Sequence, residues 1–112
     1  MGMEETVEQQ ETSENINLGP SIELVGFKEL DRGAMPVIKK IVGHGVKTLS
    51  EKSKNFQRIK ITMKSIHKGE GHGQYELHAM ADIGGKSVTS ELTERNLYFG
   101  LSNLLNKIEH QI

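Results

Sequence analysis

A chain of 112 residues can bury one modest hydrophobic core and not two. It has no cysteine, which excludes a disulfide framework and thiolate chemistry, and no apolar run near the roughly 18 residues needed to span a membrane as a helix. The formal net charge of −1 conceals a segregation: residues 1–27 hold Glu4, Glu5, Glu8, Glu11, Glu14 and Glu23 with no lysine or arginine, so the rest of the chain is basic by five charges. The acidic start carries no secretory signal, and the expected address is the cytoplasm.

Residues 1–19 are rich in Glu, Gln, Ser and Thr and lack aromatics, which predicts a disordered acidic tail. Gly19-Pro20 marks the expected boundary, with a single domain from 20 to 112. Ser21 to Phe27 alternates Ile22 and Leu24 against Glu23 and Val25 and reads as a strand, followed by a turn at KELDRG. From about Ala34 a helix is expected, with Pro36 in its first turn. Val37, Ile38, Ile41, Val42, Val46 and Leu49 would form its apolar face, and Lys40, His44, Lys47 and Glu51 its outer stripe. Gly43 and Gly45 suggest a kink there or a close approach to the sheet.

The next strand, about Phe56 to His67, contains the strict alternation RIKITMK. Arg58, Lys60, Thr62 and Lys64 fall on one face and Ile59, Ile61 and Met63 on the other. A Gly-rich turn, KGEGHGQ, leads into Tyr75 to Ile83, where Tyr75, Leu77, Ala79, Ala81 and Ile83 alternate inward. Gly84-Gly85 supplies a two-residue hairpin loop into Lys86 to Leu92. Thr93 is the expected N-cap of a last helix whose apolar positions are Leu97, Tyr98, Leu101, Leu104, Leu105, Ile108 and Ile112. Phe99 stands beside that stripe, where partial burial is expected. The sum is a two-layer α+β domain of order β-α-β-β-β-α: a four-stranded sheet with two helices on one face and the other face in water.

The last helix also carries a motif. Asn96, Leu97, Tyr98, Leu101, Leu104, Asn106, Lys107, Ile108, Gln111 and Ile112 fall on the pattern of the short ribosome hibernation-promoting factors, or ribosome-associated inhibitors, with the lysine and glutamine matching outright. Over about residues 21–112 the chain resembles that family in element order as well. The resemblance implies a protein without catalysis that occupies the groove between head and body of the small ribosomal subunit, overlaps the messenger and tRNA sites, and holds ribosomes inactive. The resemblance is to the short form, and no linker with a second dimerisation domain is expected.

The chemistry available for such a role is positive charge. Neutralising phosphates releases counterions, and A-form RNA is sensed by shape more than by base sequence. The candidate RNA-binding residues are Arg58, Lys60 and Lys64 on the basic strand, Lys39, Lys40, Lys47 and Lys54 on the first helix and just past it, and Lys107 on the last. The competing explanation is an ordinary solvated face, with the strand's bases opposite Glu76, Asp82 or Glu91. His67, His72 and His78 match no compact ligand spacing, and both glycine clusters join strand to strand where a phosphate loop needs a following helix. No metal, cofactor, small-molecule substrate or membrane partner is therefore expected, and no catalytic residues. The expected partner is the small ribosomal subunit and its rRNA. The other reading is an adaptor meeting a protein through the exposed sheet or the acidic tail.

Overall fold

The computed structural model describes residues 15–68 and 72–112, with only the backbone at residues 67, 68 and 72. Its elements are β1 (Asn15–Asn17), β2 (Ile22–Val25), α1 (Ala34–Lys52), β3 (Phe56–Lys68), β4 (His72–Ile83), β5 (Lys86–Glu94) and α2 (Leu97–Glu109). The strands form one sheet in the order β1-β2-β3-β4-β5. Only β2 and β3, joined through α1, are parallel; the other pairs are antiparallel.

The expected α+β class and both helices are present, but the sheet has five strands and not four. The added strand, β1, lies within the expected tail. Asn15 and Asn17 alternate with Ile16 and Leu18, whose side chains pack against the core, and the Leu18 amide donates to the Ile22 carbonyl at 2.9 Å. Gly19-Pro20 is thus part of a turn inside the sheet and not the edge of the domain, while residues 1–14 of the expected tail lie outside the described residues.

Side-chain alternation then sorts the sheet into two faces. Leu24, Ile59, Ile61, Met63, Leu77, Ala79, Ala81 and Ile83 point to one side and are buried with Ile38, Val42, Val46 and Leu49 of α1 and Leu97, Leu101, Leu104, Leu105 and Ile108 of α2. A bulge between Phe56 and Arg58 keeps both of these residues where their chemistry suits them: Phe56 sits opposite Ile83 on the core side and Arg58 opposite Asp82 on the open side.

The glycines of the final hairpin behave as the alternation requires. Gly84 and Gly85 have φ of +61° and +82°, the left-handed pair of a type I′ turn, and Ile83 faces Lys86 across it. At the other glycine-rich segment the flanking strands reach further than expected. β3 runs to Lys68 and β4 starts at His72, and residues 69–71 between them lie outside the described residues.

Several expectations about the helices are corrected. Thr93 is not the cap of α2: it stays in β5 opposite Glu76, and Asn96 caps the helix, its Oδ1 accepting from the Phe99 amide at 3.0 Å. Val37 and Tyr98, expected inward, are exposed, and so is Phe99, at 58%. Gly45 marks a close approach, although to the other helix: a Cβ there would lie 2.5 Å from Leu105 Cδ1.

Candidate nucleic-acid interface

The open face of the sheet is where the basic alternation of β3 ends up, and the register decides its electrostatics. Arg58, Lys60, Thr62 and Lys64 project from β3 away from the helices, beside Glu23 on β2 and Glu76, His78, Met80 and Asp82 on β4, with Thr89 and Glu91 on β5 next in line. Arg58 Nε donates to Asp82 Oδ2 at 3.0 Å. Lys64 stands directly opposite Glu76, Lys60 lies between Glu23 and Met80, and His78 Nδ1 is 3.2 Å from Glu91 Oε1. The Asn15 amide donates to Glu23 Oε2 at the β1 edge.

Three bases therefore share this face with four carboxylates, and the strand that looks cationic in isolation is part of a surface of mixed sign. The centre of that surface is apolar: Met80 is 45% exposed, in a shallow hollow with Lys60, Thr62, His78, Thr89 and Glu91.

The opposite layer differs. α1 carries Lys39, Lys40, Lys47 and Lys52 against Glu51 as its one acid. Its apolar positions turn inward at Ile38, Val42, Val46 and Leu49, so Lys40, His44, Lys47 and Glu51 line the outward side at helical spacing, with Lys39 exposed beside them. Lys54 is exposed in the turn that follows. Lys52 is engaged: its Nζ donates to the Glu109 carbonyl at 3.2 Å and lies 3.9 Å from Glu109 Oε2, tying the ends of the two helices together. Among the described residues, Lys39, Lys40, Lys47 and Lys54 form no ion pair.

The eight candidate residues are all exposed, and they do not form one patch. Arg58, Lys60 and Lys64 lie on the open sheet; Lys39, Lys40, Lys47 and Lys54 belong to the helical layer and its exit. Lys107 belongs to neither: from α2 it reaches the β5 edge, where its Nζ donates to the Glu91 carbonyl at 3.1 Å. Sequence alone missed this role, because a lysine reaching a strand's carbonyl across 16 positions leaves no local signal.

Among the described residues no polar or charged residue is buried, so what these surfaces offer chemically is charge and shape. No protein-family model matches this sequence, and no match was found among curated proteins.

Proposed function

We propose that this protein binds the small ribosomal subunit through its rRNA and holds ribosomes inactive by occupancy, with α1 as the principal contact. One observation carries the reading: Lys39, Lys40 and Lys47 stand exposed on a helix with a single acid, whereas Lys60 and Lys64, likewise without ion pairs among the described residues, have Glu23 and Glu76 directly opposite. Their long stems and compact charges suit phosphates, which position a protein on RNA without reading sequence. The β-α-β-β-β-α order that follows β1, together with the motif on α2, agrees with the resemblance to the hibernation-promoting factors.

Co-sedimentation with small ribosomal subunits at low salt tests this. The native chain is expected in the ribosomal pellet, Lys40→Glu/Lys47→Glu in the supernatant, and Lys60→Glu/Lys64→Glu still in the pellet. A native chain that stays in the supernatant sinks the proposal, and loss of binding only in the sheet variant moves the contact to the other face.

The open sheet favours a second reading for that face. Mixed charge around the exposed Met80 resembles a protein-binding surface more than a phosphate-binding one. An adaptor using this surface would lose its protein partner on Met80→Glu while keeping RNA binding by α1.

A further inference from the structure

The β5 edge is the longest unpaired strand edge in the described sheet, nine residues against three for β1 at the other side. The Gly84-Gly85 turn fixes which of its backbone groups are free. In a two-residue hairpin the flanking pair, Ile83 and Lys86, exchanges hydrogen bonds, and bonding alternates from there. Val88, Ser90 and Leu92 therefore bond to β4, and the N–H and C=O groups of Ser87, Thr89, Glu91 and Thr93 point out of the sheet. Two of those outward carbonyls are already occupied. Lys107 Nζ donates to the Glu91 oxygen at 3.1 Å, and Gln111 Nε2 donates to the Thr89 oxygen at 2.7 Å while also reaching the Lys107 carbonyl at 3.2 Å.

The strand beneath these two side chains is complementary to itself. If a second β5 runs antiparallel to it about Ser90, the outward-pointing residues pair as Ser87 with Thr93 and Thr89 with Glu91, as backbone bonding requires. In the same register Val88 meets Leu92, Ser90 meets its own copy, and Lys86 meets Glu94 twice, once on each side of the two-fold axis. Sliding the register by two toward the C-terminus places Glu91 against Glu91. Sliding it the other way loses both Lys86 pairs.

We propose that the β5 edge is a pairing surface for a second copy of this chain, held shut by Lys107 and Gln111. An open edge of this length is a ready template for another strand, and covering its acceptors with donors from α2 and the turn after it suppresses that pairing. The occupant is a second copy because the charge and apolar pattern matches itself in one register only. The two residues that match the family motif outright thereby have a task at the sheet edge, separate from the lysines of α1.

Sedimentation velocity over a dilution series tests it. The native chain is expected to sediment as a monomer and Lys107→Met/Gln111→Met to shift toward twice that mass with rising concentration. Adding Thr89→Pro, which removes an outward N–H and no bond to β4, should return the guardless variant to monomer. Adding Lys86→Glu should do the same through repulsion with Glu94, and adding Lys86→Glu/Glu94→Lys together should restore the dimer. A guardless variant that stays monomeric overturns the proposal, as does a dimer indifferent to these changes. If the guardless chain fails to fold, the single variants Lys107→Met and Gln111→Met decide, each freeing one outward carbonyl of β5. Each should dimerise at high concentration in the same Lys86- and Glu94-dependent way, and two folded single variants that both stay monomeric overturn the proposal.

Discussion

Gly43 and Gly45 are two residues apart on α1 and answer to different constraints. Gly45 faces α2, and a methyl group there would also lie 3.3 Å from Leu105 Cβ and Cγ. Leu105 is buried and cannot swing into solvent. Gly43 is exposed and has nothing within 4 Å of its missing Cβ. Gly43→Ala is therefore expected to stabilise the chain by about 0.5–1 kcal/mol through helix propensity and a less flexible unfolded state. Gly45→Ala gains the same propensity but overpacks the helix crossing, a cost of about 1–3 kcal/mol, so its net effect is destabilising. Urea midpoints of the two variants should move in opposite directions. A Gly45→Ala chain at least as stable as Gly43→Ala would show that α2 can yield at the crossing.

At the scale of elements, alternation carried most of the fold. The inward rows of β3 and β4 and, Tyr98 apart, the stripe of α2 are periodic enough that burial follows from spacing, and Gly84-Gly85 leaves little choice of turn. What local pattern did not reveal depends on partners distant in sequence. Asn15-Ile16-Asn17-Leu18 alternates as a strand should, yet it follows an acidic stretch and is short, and its stability comes from β2 and the core. Thr93 and Asn96 are both good caps in isolation, and β4 decides between them by keeping Thr93 in the ladder opposite Glu76. The same reasoning applies to the site: the lysine line on α1 was legible from helical spacing, whereas the carboxylates that stand opposite Arg58 and Lys64 depend on strand register. β1 itself is testable. A chain beginning at Pro20 is expected to unfold at lower urea than one beginning at Asn15, by roughly 1–3 kcal/mol, because it loses the half-buried Ile16 and Leu18 side chains and the bonds to β2. Equal midpoints would mean that β1 contributes nothing to the fold.

Across the whole molecule the sheet separates two electrostatic regimes. On one side carboxylates answer the bases; on the other α1 has an excess of lysine. That difference predicts how binding to rRNA depends on salt. Each phosphate neutralised contributes a slope of roughly 0.7–0.9 to the fall of log K with log salt, so contact by Lys39, Lys40 and Lys47 implies a slope near −2.4 and roughly 30-fold weaker binding between 50 and 200 mM salt. Lys40→Gln/Lys47→Gln removes two such contacts, and its slope should flatten by about 1.4–1.8. Lys60→Gln/Lys64→Gln should change the slope little, since Glu23 and Glu76 stand directly opposite those lysines in the sheet and repel the phosphates they would attract. Titration of small subunits at several salt concentrations reads all three slopes directly. A flattened slope in the sheet variant and an unchanged one in the helix variant would reverse the assignment of the binding layer, because counterion release counts the charges that meet phosphate and ignores those that meet a neighbouring carboxylate.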